Sequence, residues 1–421
     1  MNASKSRPEA PEGAHPEAPE GARPQQAGSA ATSKRSRTVA RYLQDVPRSG
    51  IRDFFEIVEL RNDVISLSIG EPDFDTPWHI REAALFALDH GATSYTANLG
   101  LLELREALAE YLASSFHVRY EPKNEILIAV GVSEALDLAV RALLDPGDEI
   151  IYHEPCYVSY GPVITFAHGR PVPVRTDLAH GFRITRRDLE AAVTDRTRAL
   201  LLNFPTNPTG AVLGREDLQG IADLAIERDL FVLSDEIYSE LTYEGERVSI
   251  ASLPGMKERT ILLGGFSKAW AMTGFRVGFA CAPPDLTEAM MKIHQYTIMC
   301  APILSQRAAI EALRHGAADI ADMRHQYRLR RNFICQALNE MGLPCHRPDG
   351  AFYAFPDVRP CGLSSKEFAL RLLDEEKVAC VPGTAFGPSG EGFIRCSYAT
   401  DLEEIKESMR RMSAFLQRLR R

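Results

Sequence analysis

Between residues 125 and 263 the chain repeats one pattern: a short, continuously apolar run followed by a stretch with helical spacing. The runs are 125–130 (EILIAV), 149–152, 197–204 (TRALLLNF), 231–234 and 260–263. Between two of them, residues 216–228 place Leu218, Ile221, Ala222, Leu224 and Ala225 three and four apart, which is one face of a helix. A run that is apolar at every position, with no polar alternation, belongs to a strand covered on both faces. Strand–helix alternation then calls for an α/β fold with a mostly parallel central sheet. In sheets of this kind, ligands bind at the carboxyl ends of the strands.

The pattern changes after about residue 317. A long charged helix is expected over 319–341. It leads into short alternating segments, 351–355 and 392–398, separated by helices over 365–376 and 402–419. These features predict a smaller α+β domain. The expected organisation is a large domain over residues 77–316, a small domain made of 48–76 and 317–421, and a tail over 1–47. The tail repeats PEAPEGA at 8–14 and 16–22 and has no aromatic residue before Tyr42. With so little apolar surface to bury, it is expected to be disordered.

Composition narrows the function classes. With 421 residues, two packed units are expected. A net charge of -9 argues against non-specific binding to nucleic acid or to an anionic membrane surface. No run reaches the 18 or so apolar residues of a membrane span, and the first residues have no apolar core of the kind a secretory signal needs. The eight cysteines show no Cys-x-x-Cys spacing, so neither a zinc site nor a disulfide framework is expected. Idle thiols in a reducing cytoplasm are the simplest reading.

Four strand ends carry chemistry. Gly131-Val132-Ser133 opens a helix, where free amides and the helix dipole make an anion site; Ser133 could equally be an ordinary cap. Residues 205–210 (PTNPTG) hold Asn207 in a turn rich in proline and glycine, with an amide able to donate to a ring oxygen. Asp235 ends the next run, where a carboxylate could keep a pyridine nitrogen protonated, and Tyr238 follows three residues later. Residues 264–278 (GGFSKAWAMTGFRVG) place Ser267 beside Lys268 and hold Arg276 eight residues on. A hydroxyl, an amine and a guanidinium so placed can grip a phosphate and hold an aldehyde covalently, provided the amine is neutral. Asn207, Asp235 and Lys268 are 28 and 33 residues apart, about one strand–helix repeat each.

With these motifs together, the chain resembles the class I/II pyridoxal-phosphate-dependent aminotransferases of fold type I, in the branch with aromatic-, aspartate- and N-acetyl-diaminopimelate-type members. The resemblance spans about residues 48–411. It rests on IGEPDFDTP (69–77), SYTANLGLLELREA (94–107), PTNPTG, SDEIYSELTY (234–243), GGFSKAWAMTGFRVG, DGAFYAF (349–355) and EGFIRCSYA (391–399). It implies pyridoxal 5'-phosphate held on Lys268 as a Schiff base, with Lys268 also moving the substrate's proton. It implies Asp235 on the pyridinium, Asn207 and Tyr238 on the phenolic oxygen, and Tyr157 stacked on the ring. Val132, Ser133, Ser267 and Arg276 would hold the phosphate. Tyr95 would reach the phosphate of a second subunit, so a homodimer is implied. Arg395 would clamp the substrate α-carboxylate in a bidentate pair, with Gly70 contributing a backbone contact and Asn207 also counted among the substrate-binding residues.

The resemblance further implies transfer of an amino group from an L-amino acid of aromatic, aliphatic or broad range to a 2-oxo acid such as 2-oxoglutarate. One aspartate-using subgroup has lysine where this chain has Ser133, which argues against strict aspartate specificity. Aspartate and N-acetyl-diaminopimelate use remain alternatives, as does lyase or decarboxylase chemistry on the same fold. His153 and His294, close to the motifs, are expected to be ordinary bonded core histidines.

Overall fold

The computed structural model describes residues 39–44, 46–48, 50–51 and 63–420. The expected disorder of residues 1–38 therefore lies outside the described residues. Arg41–Gln44, placed in the tail by the sequence, forms a four-residue helix, and the Tyr42 ring lies edge-on to His168 at 4.9 Å. From Arg41 onward, the described residues make one compact unit.

In chain order the strands are β1 (Ile65–Ser66), β2 (Ile126–Ala129), β3 (Glu149–Glu154), β4 (Arg170–Arg175), β5 (Thr197–Asn203), β6 (Phe231–Asp235), β7 (Thr260–Gly265), β8 (Gly278–Cys281), β9 (Tyr353–Ala354), β10 (Val378–Ala379), β11 (Val381–Pro382) and β12 (Ile394–Ser397). Seven of them build the central sheet in the order β2-β8-β7-β6-β5-β3-β4. The pairs β3–β4, β3–β5, β5–β6 and β6–β7 are parallel, while β8 runs antiparallel to β7 and β2. The sheet is thus mostly parallel, as the apolar runs require.

Both faces are covered. In β2, Ile126 and Ile128 join one apolar cluster with Leu104, Leu108 and Phe266, and Leu127 and Ala129 join another with Leu136, Leu138 and Ala139. Neighbouring residues of a strand point to opposite faces, so the split places packed helices on both sides.

Two strands of the central sheet were not legible as such. β4 (RPVPVR) is an edge strand with two prolines and half-exposed side chains, so it has no buried run. β8 (GFAC) follows directly on the glycine-rich motif and is only four residues long.

After residue 317 the helix Ala317–Glu340 leads to a three-stranded antiparallel sheet, β11-β12-β9, while β1 pairs in parallel with β10. Helices Ser365–Glu376 and Leu402–Leu419 pack Phe368, Leu372, Met412 and Phe415 with Ile334, Leu338, Val378 and Ile394 into a separate apolar cluster.

Candidate active site

Strand register brings the four motifs to one edge. Asn203 at the end of β5 pairs with Asp235 at the end of β6, and Asp235 pairs with Leu263 of β7. Gly278, the first residue of β8, faces both Gly265 of β7 and Ala129 of β2. The loops that leave β2, β5, β6 and β7 therefore emerge side by side.

The helix after β2 starts at Val132, with Gly131 as N-cap at φ 79° and no side-chain cap. Ser133 does not cap it: the helix begins two residues earlier than a Ser133 cap would require, and Ser133 is exposed in its first turn. No side chain satisfies its outer amides at the cap position. Arg276 packs here, because a Cβ on Gly131 would lie 2.6 Å from its Nη2. Gly278 is equally constrained: a Cβ there would meet the Val132 amide nitrogen at 2.7 Å. Ser267 is buried just beyond β7. The Glu134 carboxylate accepts from the Val130 amide at 2.5 Å and bonds His294 Nδ1 at 2.6 Å. His294 thus braces the turn, while its Nε2 is buried without a partner. His153 Nε2 accepts from the Asn203 amide at 3.3 Å; burial lowers its pKa to about 4, so the ring is neutral.

Asp235 is buried, and its carboxylate accepts from the Tyr160 hydroxyl at 2.9 Å and the Ile237 amide at 3.2 Å. Neither donor is cationic. Burial raises its pKa to about 6 against those two bonds and the more distant charge of Lys268. A carboxylate so desolvated calls for a cation. Lys268 Nζ donates to the Gly70 carbonyl at 2.7 Å. Burial lowers its pKa to about 8; Glu71 opposes the shift and the cations Arg395 and Arg276 add to it. A large fraction of this amine is neutral near pH 8, the state a nucleophile needs.

Arg395, on β12 and 2% exposed, donates from Nη1 to Asn207 Oδ1 at 3.0 Å and from Nη2 to the Ser68 carbonyl at 2.6 Å. Its Nε is buried without a partner. The Tyr238 hydroxyl is 2.8 Å from the Tyr353 hydroxyl, and both rings are buried. Tyr157 is half-buried, with its ring edge-on to Tyr160 at 5.8 Å. Tyr95 is 81% exposed.

Three residues of the site had no role in the sequence reading. Tyr160 follows Tyr157 by three residues. Asn203, a polar residue closing an apolar strand, donates to the Asp235 carbonyl at 2.9 Å and accepts from the Asn207 amide at 3.2 Å. Tyr353 lay unassigned in DGAFYAF.

An amine, a buried carboxylate and a guanidinium thus meet near a helix N-terminus at one sheet edge. Residues 62–412 match the family described as aminotransferase class I and II. A Bacillus subtilis relative named as an aminotransferase, YugH, is 54% identical over 375 residues, covering 89% of this chain and 97% of its own length. Aromatic-amino-acid aminotransferase 2 of Thermococcus litoralis is 47% identical over 89% of this chain and 97% of its own. Among solved structures, the aspartate aminotransferase of Thermus thermophilus with maleate superposes with a TM-score of 0.86 at 39% identity, covering 90% of this chain and 99% of its own. The chain belongs to the class I and II aminotransferases, enzymes that transfer amino groups and depend on pyridoxal phosphate.

Among the described residues, no helix is long and apolar enough to cross a membrane. All eight cysteines are free.

Proposed function

We propose that this aminotransferase binds pyridoxal 5'-phosphate at the edge described and moves an amino group from an L-amino acid of aromatic, aliphatic or broad range to a 2-oxo acid such as 2-oxoglutarate. The observation that carries the reading is the pairing, at one sheet edge, of a buried carboxylate without a cationic partner and an amine whose pKa is drawn down to about 8. The residues fit the group. Asp235 lacks the cation that a pyridine nitrogen would supply, and the Gly131–Arg276 contact forms a positive cradle at a helix N-terminus. When bound, pyridoxal phosphate supplies an aldehyde for the amino group and a ring that takes up the electron pair released at the substrate Cα.

The chain's own residues do the rest. Lys268 would hold the group through Nζ and, when free of it, would take up the substrate Cα proton. Asp235 keeps the ring nitrogen protonated. Asn207 and Tyr238 donate to the ring oxygen, and Tyr157 covers the ring. The Val132 and Ser133 amides, Ser267 and Arg276 hold the phosphate. Arg395 takes the substrate α-carboxylate through its planar guanidinium, beside the Gly70 backbone.

We assign the large domain to residues 77–316 and the small domain to 48–76 and 317–421. A homodimer in the cytoplasm completes the proposal. Tyr95 and Tyr296 are 81% and 87% exposed, and the helix Trp78–Asp89 leaves Trp78, Leu85, Phe86 and Leu88 uncovered. An apolar face of this kind supports a self-complementary interface through which Tyr95 reaches the phosphate of the second subunit.

A panel of amino donors with 2-oxoglutarate, read by the new amino acid formed, tests the reaction. Mixing enzyme with amino acid alone separates it from its rival. Conversion of the bound cofactor to the pyridoxamine form supports transfer, and release of pyruvate with ammonia without that conversion indicates a lyase.

A further inference from the structure

Tyr353 touches both halves of the candidate site. It lies on β9, 1% exposed, and the β9–β12 pairing of Tyr353 with Ser397 fixes it two residues from Arg395. Its hydroxyl is 2.8 Å from that of Tyr238. The Arg395 guanidinium carbon stands 4.5 Å from its ring centroid, and Phe386 lies 4.9 Å from the same carbon. The Tyr353 oxygen also occupies the space a side chain at residue 70 would need: a Cβ on Gly70 would lie 2.8 Å from it. Gly70 is in turn the carbonyl that receives the Lys268 amine.

We propose that Tyr353 is a positioning residue with two separable actions: its hydroxyl sets the donor strength of Tyr238, and its ring plane holds Arg395 in the orientation that receives a carboxylate. The proposal rests on the pyridoxal-phosphate reading of Tyr238. A phenol has one proton to give. If Tyr238 spends its proton on the ring oxygen of the cofactor, its own oxygen must accept from Tyr353. Hydrogen bonds in such a chain polarise one another, so the Tyr353 bond makes Tyr238 a better donor. The charged and titratable groups around the pair are Arg395, Asp235, Glu71 and Tyr157. Tyr353→Phe substitutes none of them. The ring acts independently of that oxygen. A guanidinium over an aromatic face is held by the ring's quadrupole, and replacement by an aliphatic side chain removes that hold from one face while the bonds to Asn207 and Ser68 remain.

The test uses the cofactor-loaded enzyme without substrate. The first readout is the pH midpoint at which its visible absorbance changes. A hydrogen bond donated to the ring oxygen favours the deprotonated form, so Tyr238→Phe raises the midpoint. Tyr353→Phe is expected to raise it by a smaller amount. The double variant is expected to match Tyr238→Phe alone, because Tyr353 acts through Tyr238. A midpoint unmoved by Tyr353→Phe while Tyr238→Phe shifts it, or additive shifts in the double variant, overturns the hydroxyl role. If Tyr238→Phe itself moves nothing, the reading of Tyr238 falls, and the hydroxyl role falls with it.

The second readout is the Kd of the unreactive acid 3-phenylpropionate. It is expected to change less than threefold in Tyr353→Phe, which keeps the ring, and to rise tenfold or more in Tyr353→Leu. Tyr353→Met, unbranched and flexible, is the second variant should leucine prevent folding. An unchanged Kd in a folded variant without the ring overturns the ring role whatever the first readout shows.

Discussion

The Arg395 guanidinium and the Asn207 amide form one hydrogen-bonded unit, with Nη1 donating to Oδ1 at 3.0 Å. Arginine has donors only, so the amide must present its oxygen to Arg395 and turn its NH2 the other way. The residue proposed to bind substrate thereby orients the one proposed to donate to the cofactor ring. The two lie 188 residues apart, on β12 and on the turn after β5.

Asn207→Asp separates the two faces of this amide. The oxygen facing Arg395 remains an acceptor, but the group facing the ring oxygen changes from donor to carboxylate. Loss of a buried donor costs about 1–3 kcal/mol. Cofactor affinity, measured by fluorescence on titration of the apoprotein, is expected to fall about tenfold or more. Asn207→Ala should lose less than the aspartate variant, because it introduces no repulsion.

Arg395→Lys keeps the charge but not the fork. A single ammonium cannot make the parallel pair of bonds or lie flat between Tyr353 and Phe386. Every amino-acid donor is expected to bind more weakly, and truncation to alanine should cost about 2–5 kcal/mol in kcat/KM for all of them. A loss confined to one donor would place Arg395 on a side chain instead.

Asp235→Asn predicts a trade between stability and function. Burial raises the Asp235 pKa to about 6, above its unfolded value, so in the apoprotein the native state holds its proton more tightly than the unfolded state. Stability from this group is present below the unfolded pKa and falls as pH rises from about 4 to 6. A shift of this size corresponds to about 3 kcal/mol. The apo variant should match the wild-type apoprotein in thermal stability near pH 4 and exceed it above pH 6. Cofactor affinity should fall at every pH. Melting curves of the two apoproteins across this range check it.

Much of this candidate site was legible in the chain because Asn207, Asp235 and Lys268 close or closely follow apolar runs. Asp235 ends β6, and Lys268 follows β7 by three residues. Strand register then does the assembly. What the sequence hid depends on contacts between distant segments. Tyr160 matters because it meets Asp235 across 75 residues, and Tyr353 because it meets Tyr238 across 115. Neither pair has a local spacing to betray it. Ser133 looked like a cap because serine favours that position, but Gly131 at positive φ starts the helix earlier. The edge strand β4 escaped because proline and exposure erase the periodic signal.

The central claim is that Lys268 holds the cofactor. Reducing the loaded enzyme with borohydride and mapping its peptides by mass spectrometry tests it directly. The account predicts the mass of a reduced pyridoxyl phosphate on the peptide carrying Lys268, and none in Lys268→Ala. A label on another lysine, or its persistence in that variant, would contradict the assignment.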